Sequence, residues 1–351
     1  MKKKKNNFIR ELIVHLNVIL SKEQKKSAIF ILSIMTIGMF FEILLLNNLF
    51  ILLNYLTNTN IETPRAIGFF TQIFDIKNVP LFVLVLFIIS FFVKTVSAII
   101  VKWQEGKFLF TLLAKISEKL LFGYLKLPLI FHQKNNSAKI LKNITLEVDQ
   151  FSFIVYGIST LTLELLVLSG ISFYLIFLDP IISLSCITSF IAFGYLFNLF
   201  NRKKIKVMGK DRLYHQDERI KSILECLTGL RELKIWLKEN SFFKKFELHN
   251  NSMREITISQ YLRTNLSKPS FEIFLLLMLS IFLIYFLTNN LLNEKIIPMF
   301  GLYLAAAYRL VPSIAKIVQS VQHIQFNLAC AVNLSNEIKR FKNQREEKEN
   351  K

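Results

Sequence analysis

Three basic side chains, Arg309, Lys316 and His323, recur at intervals of seven residues toward the end of this 351-residue chain. On an α-helix that spacing places them on one face, with Ser313, Gln319 and Ser320 close beside it. The stretch that carries the first two, Ile297–Val318, is otherwise apolar. Counted from Ile297, Arg309 falls ~18 Å along it, near the middle of a bilayer, with Lys316 near the boundary and His323 beyond. Two chemistries suit such a row. One is a cationic stripe lining a cavity and holding an anionic group, such as a phosphate or diphosphate on a lipid carrier. The other is internal pairing, Arg309 with Glu164 at mid-depth and Lys316 with Glu272 nearer the boundary. Lys94 and Lys316 also have stems long enough to reach lipid headgroups. Charge inside an apolar run is costly and faces protein or a water-filled space. Glu42, Glu164, Glu272, Arg309 and Lys316 are therefore the candidate cavity residues.

No catalytic set accompanies them. The histidines (His15, His132, His215, His249, His323) are scattered, and neither H-E-x-x-H nor a nucleophile elbow occurs. Cys186, Cys226 and Cys330 show no metal or redox spacing and read as small apolar side chains. A membrane-bound enzyme is the least supported class. No G-x-x-x-x-G-K-[ST] loop is present, so no segment cradles the phosphates of ATP.

The elements that must position the stripe follow from hydropathy. Apolar runs near the ~20 residues that cross a bilayer recur at about Ala28–Leu56, Pro80–Val101, Phe151–Leu178, Ile181–Phe200, Phe271–Leu287 and Ile297–Val318. They predict an all-α membrane protein with six transmembrane helices. The net charge of +19 invites a nucleic-acid partner, but its distribution points elsewhere. Lys and Arg number eight up to Lys26, eight in Lys102–Gln150, fifteen in Asn201–Arg263 and six after Glu337. In the alternate loops Arg65 and Lys77 balance Glu62 and Asp75, Asp179 stands alone, and Glu294 balances Lys295. That is the positive-inside pattern of a cell (inner) membrane protein with both termini cytoplasmic. It needs no nucleic acid.

Phe8–Leu20 reads as a basic amphipathic helix lying on the inner leaflet. MKKKK before a long apolar run resembles a signal peptide, but the run begins too late and lacks a cleavage site, so a retained span is expected. The second span continues as a helix over Trp103–Leu125. A turn at PLIFHQKNNSAKILKNITLEV follows, restarting a helix at about Ala138. Asp179 caps the fourth span and Pro180 opens it. Asn201–Ser270 is a long polar interval with apolar residues at helical spacing (Ile220, Ile223, Leu224, Leu227, Leu230, Leu233, Leu237), predicting two helices that leave the membrane, turn near Ile235–Phe242 and return. At ~1.5 Å per residue the turn lies ~40 Å from the bilayer. Pro312 is expected to kink or curve the last span, whose helix should end near Phe341 before a polar tail. The expected organisation is an amphipathic helix over 1–26, a six-helix domain over 27–340 and a tail over 341–351.

Two long hairpins with short opposite connections resemble the transmembrane domain of ABC exporters, over essentially the whole chain. In that family the hairpins end in coupling helices that seat in clefts of ATPase domains. The first pattern (Pro, an aromatic pair, Asn-Thr/Ser-Gly, Leu, an acidic residue) is matched by Pro128, Phe131-His132, Asn136-Ser137, Leu141 and Glu147, with Ala138 in place of Gly. The second is matched by Gly229, Lys234, Trp236, Glu239 and Phe246. The resemblance implies that Phe131, His132, Asn136, Ser137, Trp236, Lys238, Glu239 and Phe242 couple to an ATPase. Trp236 could instead pack back on its own hairpin. NNSAKILKNITLEV and AAAYRLVPSIAKI look most like the lipid-linked oligosaccharide flippases.

The same resemblance implies a nucleotide-binding domain in trans holding ATP and Mg, a second transmembrane subunit, identical or not, and contact with membrane lipid. The chain ends at Lys351, about where that domain would begin, so a separate chain would supply it unless the chain is a truncated gene product. A lipid or peptide exporter and a non-transporting six-span scaffold or sensor are the other readings.

Overall fold

A computed structural model describes residues 8–56, 78–134, 137–288 and 296–349. The loops expected to hold Glu62, Arg65, Asp75 and Lys77 and to hold Glu294 and Lys295, together with Asn135 and Asn136, lie outside them.

Among the described residues every regular element is a helix. In chain order these are α1 (Phe8–Ile19), α2 (Lys22–Leu56), α3 (Val79–Leu125), α4 (Leu129–Lys134), α5 (Ser137–Ile144), α6 (Leu146–Leu178), α7 (Pro180–Thr228), α8 (Leu230–Ile235), α9 (Glu239–Asn265), α10 (Ser267–Thr288) and α11 (Ile296–Glu349). Among the described residues five stretches are long and apolar enough to cross a membrane: Lys22–Leu56, Val79–Leu125, Lys139–Leu178, Pro180–Thr228 and Phe300–Phe341. The remaining apolar run, Phe271–Leu287, lies in the 22-residue α10.

Local chemistry sets the breaks. Asp179 Oδ1 accepts from the amides of Ile181 at 3.1 Å and Ile182 at 3.2 Å, while Pro180 opens α7 where no donor is needed. α7 is 49 residues long, about 70 Å, against a hydrocarbon core of ~30 Å. Its surplus forms the hairpin with α9. Arg219 and Lys245 reach Asn250 and Glu225 across that hairpin at 3.3 Å each. The other hairpin is more broken than its sequence suggests, since α5 ends at Ile144 and α6 begins at Leu146 where one continuous helix was expected from about Ala138.

α11 is the spine. One face meets α2 and α6, where Leu302 and Ala306 pack with Leu46, Val167 and Ile171. The opposite face, Val311, Ala315 and Val318, packs on Phe190 of α7 and Phe271 of α10. Further along, Leu328, Ala331, Leu334 and Ile338 join Leu112, Ile116 and Leu120 of α3 and Phe151 and Ile154 of α6. The helix passes through Pro312 without interruption and continues to Glu349, beyond the expected end at Phe341.

α1 corrects another expectation. Leu12 and Ile19 are buried in the cluster around α3, α6 and α11, so the apolar face drawn for the membrane surface covers the protein's own bundle. Ile13, at the edge of that face, and Val14, beyond it, are exposed.

α7 and α11 come together at Gly209, where an added Cβ would collide with the carbonyl oxygen of Phe326. Gly106 in α3 has nothing within 4 Å. The two therefore respond oppositely to alanine. Gly209→Ala should destabilise the detergent-solubilised protein by about 1–3 kcal/mol, whereas Gly106→Ala should be neutral or stabilise it by about 0.5–1 kcal/mol. Thermal unfolding of the pair, measured side by side, checks the crossing.

Candidate functional site

α2, α3, α6 and α11 enclose a cavity of about 550 Å³. The stripe of α11 faces it, with Arg309, Lys316, Gln319, Ser320 and His323 all in the lining. Opposite them stand Glu42 from α2, Lys94 and Ser97 from α3, and Tyr156, Thr160 and Glu164 from α6. Gly157 lets α6 come close there, since a Cβ would lie 3.3 Å from the Ser320 carbonyl oxygen and 3.0 Å from Ile324 Cγ1.

Both chemistries expected of the stripe coexist. Arg309 makes a two-pronged contact with Glu42, Nη2 donating to Oε2 at 3.1 Å and Nε donating to Oε1. Its Nη1 donates to Ser313 Oγ at 2.9 Å and reaches Glu164 Oε2 at 3.5 Å. Lys316 Nζ donates to Glu164 Oε1 at 2.9 Å. Lys94 Nζ lies 3.7 Å from Glu42 Oε1. The result is a chain of alternating charge, Lys94–Glu42–Arg309–Glu164–Lys316. The carboxylates are almost fully covered, at 8% and 3% side-chain exposure, while Lys316 keeps 49%. Three cations against two anions leave one positive charge in excess, on the side chains most open to the cavity. Lys102, also in the lining, is neutralised by Glu105 at 2.7 Å.

One expected pair does not form. Glu272 lies 3.8 Å from Lys268 on its own helix, is 55% exposed, and does not line the cavity. Depth in the sequence matched it with Lys316, but α10 meets the apolar face of α11, opposite the stripe. Glu42 takes the stronger share of Arg309 that was expected of Glu164. Lys94, a candidate for reaching headgroups, is turned instead to Glu42.

The hairpin ends form the second constellation. In the first, Phe131 stacks on Tyr124 at 6.2 Å and lies under the Arg340 guanidinium at 5.5 Å. His132 Nε2 is within hydrogen-bond distance, 3.1 Å, of the Tyr124 carbonyl oxygen. Both therefore anchor the turn to α3 and α11, and the apolar side chains turned outward are their neighbours Leu129 and Ile130. Ser137 is exposed, and Asn136 lies outside the described residues.

In the second hairpin α7 stops at Gly229, six residues before the expected turn begins at Ile235, and the tip is the short α8 with Trp236, Leu237 and Lys238. Trp236 is 72% exposed and does not pack back. Leu237 is 80% exposed and has φ of 50°, a left-handed conformation that costs an L-residue roughly 1–2 kcal/mol. Glu239 pairs with Lys234 at 3.1 Å. Its own amide, and then Lys234, hold its carboxyl below the usual carboxylate range. Lys238 is exposed, while Phe242 is half-buried one turn into α9.

A buried network that the sequence did not disclose joins the hairpins. Lys142 and Glu147 are almost wholly covered, 3.2 Å apart, and Lys142 also bonds Asp217 of α7. Asn143 donates to the Tyr124 hydroxyl at 2.9 Å and accepts from Asn333 at 3.0 Å. Arg212 of α7 bonds Gln150 and lies over Phe326 of α11. Polar residues in a hairpin that reads as solvated gave no signal of this, apart from Glu147 in the family pattern.

Helices of this length and hydropathy, linked by a charged cluster within their apolar zone, define a multi-pass membrane protein. Residues 26–296 match the family model for the ABC transporter transmembrane region, and the chain belongs to that family as the transmembrane part of such a transporter. No curated protein matches the chain.

The cluster predicts a specific coupling. Arg309→Ala leaves the covered Glu42 with Lys94 alone, at 3.7 Å, and should cost about 3 kcal/mol. Removing Glu42 in the same protein should restore a large part of that. A double-mutant cycle read by thermal unfolding in detergent checks it, and additive losses would show that the two side chains do not depend on each other.

Proposed function

We propose that this chain is the transmembrane subunit of an ATP-driven exporter or flippase for an anionic amphiphile such as a lipid-linked oligosaccharide. A second transmembrane subunit would complete the pathway, and nucleotide-binding domains on another chain would hold ATP and Mg. The observation that carries the substrate class is the excess positive charge in the cavity. Lys316 is half open to it while sharing its carboxylate with Arg309. A phosphate or diphosphate entering there meets donors that pairing has oriented but not saturated.

The reading takes α10 as a span as well, the fifth of six in chain order, and the hairpins as cytoplasmic, in keeping with the positive-inside count. The apolar tips then meet the ATPase domains, with Leu129 and Ile130 on one hairpin and Trp236 and Leu237 on the other. An exposed Trp beside a strained Leu suits an interface anchor. Closure of the ATPase domains on ATP would move both tips, and the Lys142–Glu147–Asp217 network would keep the hairpins moving together.

The test is the ATPase activity of a co-purified nucleotide-binding subunit with this chain in lipid vesicles. A lipid-linked diphosphate glycan should stimulate it. Lys316→Gln leaves Arg309 to hold Glu164 and should weaken that stimulation on the order of ten-fold in half-maximal concentration, the loss of one charge-assisted bond. Trp236→Ala should abolish stimulation and transport while the substrate still binds. Stimulation by uncharged amphiphiles that ignores Lys316→Gln would overturn the substrate class. A bound ATPase with no turnover under any amphiphile would favour the scaffold.

A further inference from the structure

Further along α2 and α3 from the ionic cavity, toward the hairpin end, the two helices form a groove of about 450 Å³. Lys26, Lys107 and Lys115 line it, with Glu23 as its acidic member. All three lysines are exposed, and none is in an ion pair among the described residues. Lys107 lies 5.8 Å over the ring of Trp103, itself 64% exposed.

At Ile31, Phe108 and Leu112 this groove runs into a second hollow, of about 170 Å³. Leu16 of α1 and Leu20 just past its end roof it, and Leu32 and Met35 of α2 form its wall. Glu105 at its edge is already neutralised by Lys102. A cationic mouth thus opens directly into an apolar trough.

The depth of the junction is fixed by the sequence. In α2 it lies at Ile31, three residues into the apolar run that begins at Ala28, and in α3 at Phe108 and Leu112, seven and eleven residues past Val101, where the apolar run ends. These positions bracket the level of the headgroups, where Trp is enriched and lysines meet anionic lipid. Charge below, hydrocarbon above and an aromatic at the boundary match one occupant.

We propose that this groove is a binding site for an anionic glycerophospholipid of the hairpin-side leaflet, its phosphate among Lys26, Lys107 and Lys115 and one acyl chain under α1. The site rests on the membrane placement used above but not on transport. It is separate from the Arg309 cluster, so either assignment can fail alone.

Native mass spectrometry of the purified full chain in detergent tests it, with phosphatidylglycerol and phosphatidylcholine of identical acyl chains. The wild type should retain phosphatidylglycerol about ten-fold more strongly, with the preference weakening as salt rises. Lys107→Gln/Lys115→Gln should reduce that preference to about two-fold, a loss of roughly five-fold from the two charges together. Ala28→Phe, which fills the trough from its lining, should lower phosphatidylglycerol retention while leaving the lysines in place. Lys234→Gln, at the hairpin tip, serves as a folded control that should keep the full preference. Equal retention of the two lipids by the wild type, or a preference that survives the lysine pair, would overturn the site. Displacement of phosphatidylglycerol by an equal concentration of soluble glycerol 3-phosphate would also overturn it, by showing an anion site without a lipid requirement.

Discussion

Arg309 sits where an unpaired charge is hardest to keep, and its bonds to Glu42 and Glu164 fix more than its own position. A side chain bonded to carboxylates on two different helices sets the rotation of α11 about its axis. Helical phase then carries that rotation along the whole element. With Arg309 toward α2 and α6, the face bearing Val311, Ala315 and Val318 must turn toward α7 and α10. The stretch from Leu328 to Ile338 is likewise delivered to α3 and α6 at the hairpin end. Membrane core, cavity wall and hairpin base are consequences of one helix held at one angle.

Polar contacts take over this role outside the membrane. The hairpins have few buried apolar side chains near their tips, so Lys142, Glu147, Asp217 and Asn143 supply the registration that packing supplies elsewhere. Such a network is sensitive to loss of any member, because the rest remain buried without partners. The tips have the opposite character, with apolar side chains held outward on strained or exposed backbone. Rigidity lies between the hairpins, and the unpartnered surface lies at their ends.

The long helices, the hairpins and the polar face of α11 were legible in the sequence because each depends on periodicity within one segment. Asp179 and Pro180 marked a helix start for the same local reason. What was not legible depends on which helices become neighbours. Depth alone paired Lys316 with Glu272, yet α10 packs on the wrong face for that contact. The family pattern made Phe131 and His132 interface candidates, although Tyr124 and Arg340 draw them inward and leave Leu129 and Ile130 outside. The amphipathic pattern of α1 predicted a buried face but could not say whether lipid or protein would bury it. Aromatic or apolar character specifies that a surface will be covered, and only the fold specifies by what.

The odd charge of the Lys94–Glu42–Arg309–Glu164–Lys316 chain has an electrical consequence. One uncompensated positive charge inside the bilayer experiences part of the transmembrane potential, worth about 2.3 kcal/mol for a full crossing at 100 mV. Shared along a chain that runs from mid-depth at Arg309 toward the boundary at Lys316, it feels at most about half of that, on the order of 1 kcal/mol, comparable to a hydrogen bond. A monovalent anion seated at Lys316 cancels the excess, and a divalent one reverses its sign. Empty and occupied cavities therefore respond differently to voltage, and the membrane field distinguishes them without touching either.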